Sequence, residues 1–231
     1  MRRDYLGWIL VALIVVLLVF VRTFLFQPFY LPAKSMAPTL LHGDYVLVSK
    51  FSYGYTRYSL PFSPAPFFSG RLFPSEPKRG DVVVFRLRKD DATEYIKRIV
   101  GLPGDRIQMI GGLLHINGQA VKREQIDDFI DDAIQPGPIR RWRETLPEGV
   151  THATLDLQSN SFYDNTSAYT VPAGHYFMVG DNRDNSADSR AQSQVGYVPF
   201  ENLLGRALIV FMSVDPASQN ARWERFGLLV R

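Results

Sequence analysis

The 231-residue sequence contains no cysteine, so neither disulfides nor thiolates take part in its fold or chemistry, and the redox compartment stays open on this count. Its 4 histidines, His42, His115, His152 and His175, lie far from one another. None pair at the close spacing that local zinc motifs use, and no glycine-rich phosphate loop occurs, so no metal and no other cofactor is expected. A strong charge of one sign is missing too: 26 Lys+Arg against 23 Asp+Glu leave a net +3, with the basic residues scattered. That balance argues against a nucleic-acid partner and suits an anionic lipid surface. What the chain has is apolar content, 46%, enough for a real core in one or two compact units.

The longest apolar run is N-terminal. No charged residue occurs from Tyr5 to Val21, an α-helical span of about 25 Å at ~1.5 Å per residue. Apolar character resumes at Phe24, and Arg22 can reach the headgroups, so the helix is expected to run to about Phe26 and end at Gln27-Pro28. Arg2 and Arg3 before an apolar stretch also fit a cleaved secretory signal, but no small-x-small site follows: Leu31 stands two positions before Ala33. An uncleaved single-pass anchor is the better reading. Arg2, Arg3 and the amino terminus favour a cytoplasmic N-terminus, with residues beyond about 28 outside.

Past the anchor, short β-branched and aromatic runs (YVLVSKF, DVVVFRL, YIKRIVG, LLHINGQAV, YFMVGD) alternate with turn residues such as Gly43-Asp44, Gly80-Asp81 and Ala173-Gly174. The pattern predicts a mainly antiparallel β protein. Asn117-Gly118 predicts a type I′ hairpin. The polar stretch 124–167 reads as a loop-rich insertion, with Asp127, Asp128, Asp131 and Asp132 as a solvated face. Between 51 and 73, Phe51, Tyr53, Tyr55, Tyr58, Phe62, Phe67, Phe68 and Phe73 are interrupted by Pro61, Pro64 and Pro66, which bars a regular element. These rings either cover a core edge or enter the bilayer interface.

Ser35, opening SMAPTL, and Lys97, inside EYIKRIV, are the one pair with catalytic potential. A serine hydroxyl needs a base beside it. A lysine serves only when neutral, which burial without a counter-anion promotes. Strand alternation puts Lys97 on the face of Tyr95 and Ile99, away from Arg98. Spacing alone leaves two plainer readings open, a turn-starting serine and a solvent-facing strand lysine. GDNRDNSADSR (180–190) resembles a turn-rich loop or a calcium loop; counted from Asp181, Arg183 at position three and Gln192 at position twelve exclude calcium. Asp188 and Arg190, two apart, are expected to pair on one strand face.

Taken in order, SMAPTL (35–40), GDYVLVSKF (43–51), RGDVVVF (79–85), YIKRIVGLPGD (95–105) and GDNRDNSADSR resemble bacterial type I signal peptidases. The resemblance spans residues 1 to about 213 and is less distinctive from about 107 to 172. It implies an N-terminal cytoplasmic tip and transmembrane helix (together 1–27), an antiparallel β catalytic domain of the signal-peptidase type (28–106 and 173–215), a β-rich insertion (107–172) and a C-terminal tail (216–231). It further implies Ser35 as acylating nucleophile, Lys97 as general base, Ser186 bonded to the lysine amine, and Asp188 and Arg190 as a supporting ion pair. Phe29, Leu31, Leu40 and Ile96 would line pockets for small side chains of a substrate that adds as a strand along residues 28–35. The implied partners are secretory preproteins carrying signal peptides and the lipid bilayer of the inner (plasma) membrane, with the catalytic domain periplasmic or otherwise extracytoplasmic. Two departures stand out: Ala33 occupies a position where many members carry an oxyanion hydroxyl, and Lys34 replaces a small residue. The rival functions are a specialised pilin- or conjugation-precursor peptidase and a weakly active anchored binding protein that keeps the fold.

Overall fold

The computed structural model describes residues 2–59, 70–90 and 92–231. Helix α1 (Arg2–Phe20) continues through one π-helical turn (Val21–Leu25) that carries Arg22. Gly7–Leu25 has a mean hydropathy of 2.8, and none of its residues is fully buried in the protein. Only its C-terminal end meets the β domain among the described residues, where Tyr55 donates to the Phe24 carbonyl at 2.9 Å, and the helix is long and apolar enough to cross a bilayer. It ends slightly earlier than expected, because strand β1 (Phe26–Tyr30) takes up Phe26 and Gln27. Pro28, which lacks a backbone donor, is tolerated there since β1 is the edge of its sheet.

Strands β2 (Asp44–Ser49), β3 (Val82–Arg86) and β4 (Glu94–Gly101) follow, each on one of the β-branched runs. Then come β5 (Arg106–Ile110), β6 (Leu113–Ile116), β7 (Gln119–Ala120), β8 (Lys122–Ile130), β9 (Pro138–Thr145), β10 (Thr151–Asp156) and β11 (Tyr169–Thr170). β12 (His175–Val179), β13 (Val198–Pro199), β14 (Leu203–Ser213) and β15 (Leu228–Leu229) complete the chain. The main antiparallel sheet has the order β1-β2-β14-β3-β4-β12-β13, with β15 also paired to β14. β5, β6, β7 and β11 form a second sheet and β8, β9 and β10 a third. The mainly antiparallel β architecture with one N-terminal apolar helix is thus the one the sequence predicts.

Central strand β3 explains its own composition. Val82 and Val84 join a core cluster with Leu31, Met36, Leu40 and Ile96, whereas Val83 and Phe85 join another with Tyr53, Ile99 and Met178. A strand buried on both faces reads as a continuous apolar run. At the predicted hairpin, Asn117 and Gly118 both take positive φ, 55° and 81°, as a type I′ turn requires.

Two expectations need correction. About half of the 124–167 stretch is regular, in β8, β9 and β10, and the rest is loop. The apolar pattern of these strands is weak because β8 is mostly solvent-exposed and β9 and β10 bury the polar side chains Glu144, His152 and Thr154. Charged cross-strand contacts such as Arg123–Asp156 and Arg140–Asp156 supply part of their cohesion. Residues 216–231, expected as a C-terminal tail, pack onto the main sheet. β15 pairs Leu228 and Leu229 with β14, Val230 enters the core, and Arg225 forms a 2.6 Å ion pair with buried Asp44. The aromatic segment splits: Tyr53 is buried and donates to Asp81 at 2.9 Å, whereas Phe73 is 83% exposed. Phe62, Phe67 and Phe68 lie outside the described residues.

Candidate active site

Ser35 sits in the turn that follows β1. Met36 and Leu40, four residues apart, bury their side chains beside Leu31, and Leu40 N–H bonds Met36 C=O at 2.9 Å. The apolar pair pins the turn to the core and leaves Ser35 at its rim. Lys97 stands mid-strand in β4, opposite Val83 of β3. Its Nζ lies 2.7 Å from Ser35 Oγ and 2.9 Å from Ile96 C=O. The Tyr95 ring centroid is 5.2 Å from the amine, so the face predicted by strand alternation does supply an apolar neighbour.

Lys97 is only 3% exposed. Burial pulls its pKa from 10.5 down to about 8; Asp188 and Asp181 oppose the shift and Arg190 assists it. Among the described residues no carboxylate pairs with the amine, which is what lets desolvation prevail. Near neutral pH an appreciable fraction of Lys97 is therefore a free amine, hydrogen-bonded to a serine hydroxyl.

The 180–190 loop backs this pair. Gly180 is irreplaceable on steric grounds: a Cβ there would stand 2.2 Å from Ser186 Oγ and 2.6 Å from Ser35 C=O. Asp188 and Arg190 form a doubly bonded ion pair, with Nε–Oδ1 2.9 Å and Nη2–Oδ2 2.8 Å. The pair lies in a turn, not on a strand face; Arg190 N–H also bonds Asp188 Oδ1 at 3.2 Å, closing the turn locally. Burial works against the Asp188 charge, but Arg190 and the Gly180 N–H overcome it and hold the carboxyl below its usual range. Ser186 departs from expectation. It is buried beside this carboxylate, yet its Oγ has no well-formed hydrogen bond among the described residues, and the Lys97 amine is served by Ser35 and Ile96 instead.

A cleft of about 290 Å³ opens over the pair, lined among others by Phe29, Leu31, Ala33, Tyr95 and Ile96. Leu40 does not reach it, being fully buried behind Leu31 and Ile96. Ala33 lies exposed on the cleft wall and offers no side-chain donor. Lys34 turns its amine to the Ala133 carbonyl.

Residues that sequence reasoning missed form a buried ionic network behind the nucleophile turn. Arg98 points away from Lys97, as alternation requires, and grips Asp181 through Nε (2.8 Å) and Nη2 (2.7 Å). Thr39 of the nucleophile turn donates to the same carboxylate at 2.6 Å. His152 lies 3.4 Å from Glu144, which accepts from Arg183 at 2.6 Å. Burial lowers the His152 pKa, with Arg98 adding to the effect. Arg98 was detectable as an arginine on the second buried face of its strand. His152 and Glu144 come from the β9–β10 hairpin and carry no local signal.

The sequence profile described as "Signal peptidase, peptidase S26" matches residues 2–212. Signal peptidase I of Rickettsia typhi is 43% identical over 201 residues, covering 84% of this chain and 74% of that protein. Signal peptidase I of Rickettsia canadensis is 40% identical over 213 residues, covering 89% and 79%. A solved signal peptidase I from Enterococcus faecalis is 27% identical and covers 57% of this chain and 97% of that one; its TM-score of 0.34 is too low to bear on the fold. With a profile match over nearly its whole length and relatives at about 40% identity, this chain belongs to the signal peptidase family, peptidase S26.

Proposed function

We propose that the protein is a membrane-anchored serine endopeptidase that removes signal peptides from exported preproteins, with Ser35 as nucleophile and Lys97 as general base. The observation that carries this reading is the buried 2.7 Å contact between Lys97 Nζ and Ser35 Oγ in a chain of this family. The neutral amine takes the hydroxyl proton as Oγ attacks the scissile carbonyl, and the resulting ammonium protonates the departing amine. Water, deprotonated by the same lysine, then releases the acyl group from Ser35. The Ser35 N–H, which has no protein acceptor among the described residues, is the first oxyanion donor.

Substrate is held as an added strand. β1 has a free edge, and an extended peptide laid between it and the segment before Lys97 gains main-chain hydrogen bonds with little sequence demand. Phe29, Leu31 and Ile96 wall the cleft with apolar surface that favours small side chains next to the cut. Ala33, lacking a second oxyanion donor, favours a second reading, a slow enzyme or anchored binder on the same fold.

Cleavage of a preprotein by the detergent-purified protein tests the reading, and its pH profile tests the base. The active form is the neutral amine, whose fraction grows as pH rises through the folded pKa of about 8. kcat/KM should therefore climb about tenfold per unit below that value and level off above it. A profile flat from pH 6 to 9 would exclude Lys97 as the base.

Orientation follows from charge. Arg2 and Arg3 lie at the N-terminal end of the apolar helix, favouring a cytoplasmic N-terminus with the β domain outside. Protease added to intact spheroplasts should digest residues beyond about 28. A domain protected until lysis would reverse the assignment.

A further inference from the structure

We propose that Asn182 is the positioning residue of the oxyanion hole, aiming the Ser35 N–H into the cleft by gripping the two peptide carbonyls that flank it. This rests on the proposed Ser35 chemistry and adds a residue to it. Asn182 Nδ2 donates to the Lys34 carbonyl at 3.2 Å, and Asn182 N–H donates to the Ser35 carbonyl at 3.1 Å. The Lys34–Ser35 peptide is trans. In a planar trans peptide, C=O and N–H point in opposite directions. The Lys34 carbonyl also accepts from the Ala37 N–H at 3.2 Å within the turn, and Asn182 fixes the same carbonyl from the 180–190 loop, so the Ser35 N–H is turned away from Asn182. Lys34 and Ser35 both border the cleft, and that N–H finds no protein acceptor among the described residues.

The grip is itself rigid. Asn182 is fully buried. Its neighbours are clamped to the end of β10: Leu155 N–H bonds Asp181 C=O at 2.9 Å, and Arg183 N–H bonds Leu155 C=O at 3.1 Å. Bare Gly180 lets this segment run directly beneath the Ser35 carbonyl. With alanine at 33, no side-chain hydroxyl there shares the work, so the aim of one backbone N–H carries more of the transition-state stabilisation.

The test compares wild type with Asn182→Ala and the near-isosteric Asn182→Asp, each with and without Ala33→Ser. Turnover of a preprotein peptide is measured beside the affinities of a peptide aldehyde and its unreactive alcohol. The aldehyde adds Ser35 Oγ at its carbonyl carbon, passes the serine proton to Lys97 and places its oxygen in the hole; the alcohol reports ground-state binding alone. Loss of aim should lower kcat about 10- to 100-fold with KM within about twofold. Aldehyde affinity should fall by a similar factor while alcohol affinity holds. Ala33→Ser should raise kcat more in the Asn182→Ala background than in wild type.

Unchanged kcat in a folded variant, or equal losses for aldehyde and alcohol, would overturn the proposal. Loss of fold in both Asn182 variants would also overturn it, making Asn182 structural. Wild-type cleavage that Ser35→Ala leaves intact would instead refute the underlying Ser35 reading and the inference with it.

Discussion

Ser35→Ala should lower kcat for preprotein cleavage by about 10⁶ while leaving the protein folded. The size follows from the serine acting as one unit with its base: without the nucleophile, Lys97 has no proton to take, and what survives is binding plus a backbone donor. Stability should change little. Ser35 is small and sits at the rim of its turn, and the Lys97 amine keeps its 2.9 Å bond to the Ile96 carbonyl. KM should also hold, because the alanine side chain removes no wall of the cleft. Single-turnover cleavage at saturating enzyme separates these terms. Substantial activity in a Ser35→Ala preparation, free of wild-type protein, would end the Ser-Lys assignment.

Legibility in the sequence tracked the burial of each element. β3 and β4, buried on both faces, were plain as apolar runs, and Lys97 could be assigned the Tyr95 face by counting alternate residues. β8 was not, because a mostly exposed strand carries no stripe and part of its cohesion comes from pairs such as Arg123–Asp156 that are distant in sequence. The site divides the same way. Ser35, Lys97 and the Asp188–Arg190 pair stood in recognisable motifs. The backing of the nucleophile turn by Arg98, Asp181 and Thr39 is a long-range fact, and its extension through His152 and Glu144 depends on how a separate hairpin docks. Ser186 and Leu40 entered through resemblance alone. There the geometry departs: one hydroxyl makes no hydrogen bond to the amine among the described residues, and one leucine packs into the core without lining the cleft.

Lys97→Met should abolish cleavage and, at neutral pH, make the protein more stable. Loss of activity follows from losing the base; Lys97→Arg should fail as well, since a guanidinium stays protonated. A Ser35→Ala/Lys97→Met double variant should be no worse than either single one. The stability gain follows from linkage. Lys97 titrates at about 8 in the fold against 10.5 when free, so below pH 8 folding must bury an ammonium that the unfolded chain keeps in water. At ~1.4 kcal/mol per pKa unit that penalty is on the order of 3 kcal/mol, and methionine of similar length removes it. Methionine also forfeits the bonds to Ser35 and Ile96, about 1 kcal/mol each, leaving a net gain of ~1 kcal/mol at pH 7. As pH rises from 8 towards 10.5 the wild-type lysine sheds its proton on folding at ever smaller cost. The advantage of Lys97→Met should therefore shrink and then reverse. Thermal denaturation of both proteins across pH 6–10.5 reads the difference directly. A Tm that falls on substitution at pH 7 and shows no pH-dependent crossover would mean that the buried amine is not destabilised by its site, and the case for it as a base near neutrality would fall with it.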